Sequence, residues 1–417
     1  MTAAVLSIGT EITRGEITNT NGSWLCEELT RVGLDVTEVA SIPDERIAIQ
    51  ETLARLAARH DLIVSTGGLG PTTDDITTEC VAAVLGVPLD HDAASLEAIR
   101  TRMTRFGRTM SPSNAKQADF PRGAAVLANP NGTAPGFSVK IGRAVAFFMP
   151  GVPSEMKPMF AEYVVPVATR ALTSAVHQVR LKTFGAAESA VNDRLAGIEA
   201  AHGVIIGYRA HFPEIEVKVL ARAPDAATAE ATARRATAEV TERLGDLVFA
   251  EGDVSFASII GHLLRDRSLT LGTAESCTGG LVGELLTEEA GASDFFRGAI
   301  VAYDNRVKTS LLGVDAALIA REGAVSEPVA RAMAEGARRA LGTDFAISVT
   351  GIAGPGGGTP EKPVGLVHYA LATPDGTTAR KMTWASTRRN IRYMSAYATF
   401  RLIRDVLLHG HDPAATP

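Results

Sequence analysis

A chain of 417 residues exceeds what one hydrophobic core usually holds, so two or three domains are expected. Hydrophobic residues make up 46% and charged residues 21%, with a net charge of −6; this describes a globular protein and argues against a nucleic-acid footprint. No apolar run reaches the roughly 20 residues that cross a bilayer. The N-terminus enters a strand-like run, MTAAVLSI, with no basic segment, so neither a membrane span nor a signal peptide is expected. Cys26, Cys80 and Cys277 are widely spaced and make neither a disulfide framework nor a zinc pattern. A reduced, cytoplasmic protein is the expectation.

Residues 1–170 alternate strand and helix, the pattern of an α/β domain on a largely parallel sheet. Strands are predicted at Ala3–Ile8, Val36–Ile42, Leu62–Ser65 and Ala144–Met149, and helices at Asn21–Val32 and Arg46–Arg59. The third strand runs into TGGLGPTTDD, Thr66 to Asp75. Gly67, Gly68 and Gly70 suit close approach of backbone to a phosphate, and Asp74 and Asp75 can hold a metal on it. The plain alternative is that Asp74 only caps the next helix. The other strands end in SIGTE, in Pro43-Asp44 and in PGVPSEM with Glu155, and in an open α/β sheet such strand ends form the ligand crevice. TGGLGPTTDD and PGVPSEM resemble the molybdopterin-binding domain of molybdenum-cofactor biosynthesis proteins and of the CinA family. The resemblance implies a three-layer α/β/α fold and, in its CinA form, hydrolysis of ADP-ribose to AMP and ribose 5-phosphate. It puts Asp44, Asp75 and Glu155 at the metal-binding positions for a divalent ion of the Mg, Mn or Co class, with Gly67, Gly68 and Gly70 facing phosphate.

Residues 171–251 read as a small α+β unit: strands Val179–Phe184, His202–Tyr208, Glu214–Leu220 and Leu247–Phe249, helices Glu188–Leu195 and Ala226–Leu244. The unit resembles the KH-like module of the CinA family. RNA recognition by such modules needs a GXXG clamp in basic surroundings. Here Gly203 and Gly207 have three residues between them, one more than the clamp allows, in an apolar stretch, so a structural or dimer-forming connector is expected and nucleic-acid binding is not.

In residues 252–417 a helix at Ser255–Arg267 precedes LTLGTAESCTGGLVG, Leu269 to Gly283. A strand that stops at Ser276 and turns into a helix through Thr278-Gly279-Gly280 exposes a serine hydroxyl beside free helix-start amides, which favour an anion or oxyanion. Ser and Thr before a helix can also be ordinary caps. The strand Phe295–Ala302 leads into YDNRVK, Tyr303 to Lys308; helix Val329–Leu341 and strand Phe345–Val349 deliver TGIAGPGGGTP from Thr350. A strand at Leu366–Ala370 and a helix at Arg388–Leu408 follow, and His409–Pro417 reads as an unpacked tail.

A serine nucleophile needs a base in reach. His368, mid-strand, reads as a core residue and His262 as surface. A buried lysine whose pKa falls from roughly 10.4 toward 7–8 can serve, which makes Lys308 the candidate, against the bland reading of a solvated helix lysine. Tyr303 can relay a proton or orient the nucleophile. Cys277 is an alternative nucleophile on chemistry alone. A carboxylate at Asp304 would raise the Lys308 pKa. The glycine-rich Thr350–Gly358 loop can offer amides to a phosphate or oxyanion.

AESCTGG, YDNRVK and TGIAGPGGGTPEKPVG closely resemble the C-terminal domain of the CinA family, which also occurs alone as nicotinamide mononucleotide (NMN) deamidase. The resemblance implies hydrolysis of NMN to nicotinate mononucleotide and ammonia without a cofactor. By motif position Ser276 is the nucleophile, Lys308 its base and Tyr303 an assisting hydroxyl, with Thr278, Gly279, Gly280, Thr350, Gly351, Gly354 and Gly356 near the substrate. The expected whole is an α/β protein of three parts: a molybdopterin-binding-like domain (1–170), a KH-like connector (171–251) and an amidase domain (252–417). Its partners would be NMN, ADP-ribose and a second copy in a homodimer. The alternative is a pterin-nucleotide-binding or competence-associated interaction protein lacking the N-terminal hydrolase.

Overall fold

A computed structural model of the chain describes residues 1–105, 107, 109–170, 172 and 174–410. The expectation of an unpacked tail falls, for residues 411–417, outside the described residues. The chain resolves into two compact units, residues 1–178 with 221–231, and residues 179–220 with 232 onward. Compactness therefore groups most of the 171–251 segment with the C-terminal part. Among the described residues no helix is long and apolar enough to cross a membrane.

The first unit is built on strands Thr2–Ile8 (β1), Asp35–Ile42 (β2), Leu62–Thr66 (β3), Ala125–Leu127, Gly136–Ile141 and Ala144–Met149. β1, β3 and the strand Ala144–Met149 are nearly continuous apolar runs because both their faces are covered. β2 alternates between half-buried and exposed residues, as an edge strand does. Ile49, Leu53, Phe137 and Phe148 pack into one core cluster and Leu25, Leu29, Met156 and Phe160 into another, which gives the three-layer α/β/α arrangement. The parallel register pairs Ile8 with Ile42, Ser7 with Thr66, and Thr66 with Met149. Four strands thus end along one edge, and the loops that follow them meet there. Gly136–Ile141 and Ala125–Leu127 extend the sheet antiparallel, so the sheet is mixed at that side.

The second unit carries a four-stranded sheet containing Ala175–Thr183, Val204–His211, Glu214–Ala223 and Val248–Glu251. The strand expected from His202 begins two residues later. His202 ends a short helix, Ile198–His202, and Gly203 reverses the chain at φ 66°.

Its larger sheet has the order Phe296–Val301, Leu271–Glu275, Phe345–Gly351, Leu366–Thr373, Gly376–Thr383, with the first three strands parallel. Leu271–Glu275 is buried throughout. Helices Phe256–Asp266 and Arg388–His409 contribute Phe256, Ile260, Ile391 and Phe400 to one core cluster, and helix Glu327–Leu341 contributes Val329, Met333 and Ala337 to another. Gly336 lets that helix touch its neighbour: an added Cβ would lie 1.9 Å from the Leu312 carbonyl oxygen. The last helix is tied back to the smaller sheet's strands. Tyr397 Oη donates to Glu214 Oε1 (2.7 Å), and Arg404 donates to the carbonyls of Asp246 and Val248 (2.7 and 3.1 Å). Ser326 sits at the N-cap of helix Glu327–Leu341 but does not cap it with its side chain; its hydroxyl donates to Gly323 O (2.9 Å).

Candidate active site

The strand Leu271–Glu275 and its neighbours end together, Glu275 pairing with Val301 on one side and Val349 on the other. Ser276 follows at once, its amide bonded to Val349 O (2.9 Å). Gly279 (φ 61°) and Gly280 (φ 99°) then turn the chain into helix Leu281–Thr287, a backbone path that side chains with a Cβ resist. One expectation is corrected here. The helix-start amides do not face a ligand: Gly280 N and Val282 N donate to Glu275 Oε2 (2.9 and 3.1 Å) and Gly283 N to Glu275 Oε1 (2.8 Å).

Lys308 comes from helix Asn305–Leu312, which follows the neighbouring strand. The side chain is 1% exposed, so the solvated reading does not hold. Its Nζ lies 3.2 Å from Ser276 Oγ, 2.9 Å from Ala302 O and 3.3 Å from Tyr303 O. A neutral amine fits this triangle: two N–H groups donate to the two carbonyls, and the lone pair is left for the serine proton. Burial pushes the amine's pKa down, against the smaller opposing pull of Asp304 and Cys277. Asp304 does not form an ion pair with Lys308. It caps the helix and accepts from Arg306, and that contact holds its carboxyl at about 2. Asp304→Asn keeps a capping oxygen but removes a negative charge that favours the ammonium. The Lys308 pKa should therefore fall, and the acid limb of a turnover–pH profile should move to lower pH.

Cys277 borders the same cavity as Ser276 and Lys308 but is 5% exposed, and burial pushes its thiol up to about 12; that is the reverse of the lowered pKa of a reactive thiol, and Lys308 Nζ bonds the serine hydroxyl instead. Tyr303 is 60% exposed. Its carbonyl holds Lys308, while its hydroxyl accepts from Arg388 Nη2 (2.9 Å) rather than meeting Ser276. Arg388 also donates to Gly354 O (2.8 Å). Ser276, Tyr303, Lys308, Thr350, Gly351 and Arg388 face one cavity of about 220 Å³. Thr278, Gly279, Gly280, Gly354 and Gly356 do not line it. Thr278 O accepts from Arg392 (2.7 and 3.1 Å), Gly280 is held by Glu275, and Gly356 is exposed. Sequence reasoning missed Arg388. The one signal was a cationic residue in the first turn of a helix, where the dipole favours acids. His368 is half-buried in its strand opposite Thr350, and burial lowers its pKa.

The first unit holds a larger cavity of about 440 Å³ at its four strand ends. Gly67, Gly68, Gly70, Asp44, Asp75 and Glu155 all line it. Gly67, at φ 103°, passes so close to the first strand that a Cβ would sit 2.0 Å from Ile8 O. Asp44 accepts from Thr10 N (2.8 Å), Asp75 from Thr72 N (2.9 Å) and Glu155 from Asn129 Nδ2 (2.7 Å), each through one oxygen. Glu11 and Asp74 join them, so the lining has five carboxylates and no lysine or arginine. The three acids share a cavity but not a point: among the described residues no three His, Cys, Asp or Glu groups are placed to hold a metal ion. A hard ion of the magnesium type needs only one or two carboxylates when phosphate oxygens complete its shell. The donor set fits an ion that arrives with a phosphate, not a ready-made cage.

Comparison with known proteins covers the whole length. Residues 253–407 match the CinA C-terminal domain, residues 4–170 the "Probable molybdopterin binding domain" and residues 178–250 the damage-inducible protein CinA KH domain. A CinA-like protein of Anaeromyxobacter dehalogenans is 44% identical over 97% of this chain and 99% of its own length. A CinA-like protein of Geobacter sulfurreducens is 40% identical over 98% of this chain and 100% of its own. The crystal structure of competence/damage inducible protein CihA from Agrobacterium tumefaciens is 39% identical, covering 37% of this chain and 94% of that one, with a TM-score of 0.36. With the family models and the full-length identity in agreement, the chain belongs to the CinA family.

Proposed function

We propose that the second unit hydrolyses the carboxamide of NMN to nicotinate mononucleotide and ammonia. The observation that carries this reading is the buried Lys308 amine within hydrogen-bond reach of Ser276 Oγ, held by two carbonyls. Ser276 Oγ attacks the amide carbon while its proton passes to Lys308 Nζ. The tetrahedral intermediate collapses as Lys308 returns that proton to the departing nitrogen, which leaves as ammonia. Water, deprotonated by the same amine, then attacks the acyl-serine ester, and Lys308 passes that proton to the departing Ser276 Oγ as the acid is freed. Arg388, exposed at the cavity rim with further N–H groups to offer, suits the substrate phosphate.

For the first unit the reading is hydrolysis of the pyrophosphate bond of ADP-ribose, ADP-ribose plus water giving AMP and ribose 5-phosphate. It is supported by the glycine loop and the carboxylate-only lining. A divalent ion of the Mg, Mn or Co class would be held by Asp44, Asp75 or Glu155 and would supply charge neutralisation at the pyrophosphate. Residues 67–70 would offer the backbone a close approach to it.

The test is incubation of purified protein with NMN and, separately, with ADP-ribose, products being read by chromatography. Ammonia release that disappears in Ser276→Ala is the expected outcome. Release that persists in that variant would refute the serine mechanism. Tight binding of a pterin without turnover of ADP-ribose would make the first unit a binding module.

A further inference from the structure

We infer that Glu275 is a positioning residue for Ser276: its buried carboxylate fixes the turn that presents the nucleophile to Lys308. The inference rests on Ser276 being the nucleophile of the second unit.

Glu275 is 1% exposed and ends its strand. The helix after the nucleophile has Gly280 at its N-cap, which brings no side chain to cap it. The cap comes instead from the residue before Ser276. Oε2 accepts from Gly280 N and Val282 N, and Oε1 from Gly283 N (2.8 Å) and Thr273 Oγ1 (3.3 Å). One carboxylate therefore joins the strand before Ser276 to the helix after it, through bonds strengthened by its charge and by the helix dipole. The backbone of the same residue reaches the base as well. Glu275 O accepts from Ala302 N (2.7 Å), and Ala302 O is the nearest acceptor of Lys308 Nζ (2.9 Å). Arg392 braces the opposite side of the turn through Thr278 O. Gly279 and Gly280 give this turn conformational freedom. With the carboxylate gone, three amides lose their acceptor, and the strand side keeps only the backbone bond from Ser276 N to Val349 O, which leaves the glycines free to vary how Ser276 Oγ meets Nζ.

Methanesulfonyl fluoride is a probe small enough for a cavity of about 220 Å³, and it reports nucleophile activation without requiring NMN to be the substrate. Ser276 Oγ forms a bond to sulfur, fluoride leaves, and the serine proton goes to Lys308. Intact-mass measurements give the labelling rate. Glu275→Gln, nearly the same size but neutral, should label Ser276 about 10- to 100-fold more slowly while still melting cooperatively. Glu275→Asp, which restores the charge one methylene short, should recover part of the rate. On NMN the same variants should lose kcat, with KM held within about threefold.

Labelling of Glu275→Gln within twofold of wild type would overturn the inference, as would a wild-type protein whose Ser276 is not labelled at all. If Glu275→Gln does not fold, Glu275→Asp decides: about fivefold slower labelling supports the inference and an unchanged rate overturns it. Wild-type labelling without NMN turnover would refute the deamidase reading alone.

Discussion

Lys308→Met should lower NMN deamidation by about 10²–10⁴-fold, the range for removing a general base, and leave ADP-ribose cleavage within a few-fold of wild type. Methionine fills much of the buried space but offers no lone pair to the serine hydroxyl and no N–H to the Ala302 and Tyr303 carbonyls. Lys308→Arg makes the sharper comparison. It keeps a cation and donors, but a guanidinium stays protonated in proteins, so it should be as inactive as methionine. Ammonia release and chromatography of both reactions measure this. An arginine variant that retained activity would mean that the charge acts, not the base. Loss of both activities together would mean that the assignment of one reaction to each unit is wrong.

Chelation of divalent metal should have the opposite selectivity, stopping ADP-ribose cleavage and sparing NMN deamidation. The cavity at the four strand ends is lined by five carboxylates and by no lysine or arginine. A pyrophosphate entering it without a cation would meet like charges, a juxtaposition that costs several kcal/mol. Metal removal should therefore weaken binding itself, by about 10²-fold or more in calorimetric titration with ADP-ribose, and not only slow the reaction. Asp75→Asn and Glu155→Gln should reproduce the loss of turnover in the presence of metal. Chelator-insensitive binding of ADP-ribose would show that the ligand is held without an ion and would remove the role given to these carboxylates.

Much of this was legible in sequence because strand ends announce themselves. Apolar runs such as Leu62–Thr66 and Phe345–Gly351 stop abruptly in glycines and hydroxyls, and the parallel sheets bring those ends to one edge. Ser276 and Lys308 could be paired because each follows one of two adjacent strands. Residues 86–143 were not legible. The strands Leu89–His91, Asp119–Pro121 and Ala125–Leu127 are three residues long, too short to show a period of two. The role of Glu275 was hidden for another reason: a helix cap is sought at the residue adjoining the helix, whereas this one precedes the nucleophile. Arg388 arrives at the cavity from a distant helix, and only tertiary packing places it beside Tyr303. The same packing takes Thr278, Gly279 and Gly280 out of the cavity lining, which spacing could not reveal.

The bonds from Tyr397 to Glu214 and from Arg404 to Asp246 and Val248 bear on where the CinA C-terminal domain can be cut free. They hold the long helix whose first turn carries Arg388, and the stacked rings of Phe249 and Phe256 (4.3 Å between centroids) cross the same seam. A fragment starting after residue 252 would strip the Glu214 acceptor from the half-buried Tyr397 phenol and the two carbonyls from the buried Arg404 guanidinium, and bare one face of an aromatic stack. In this chain the segment before the CinA C-terminal domain is part of that domain's foundation. A truncated domain would need new residues along that seam to keep its arginine aimed.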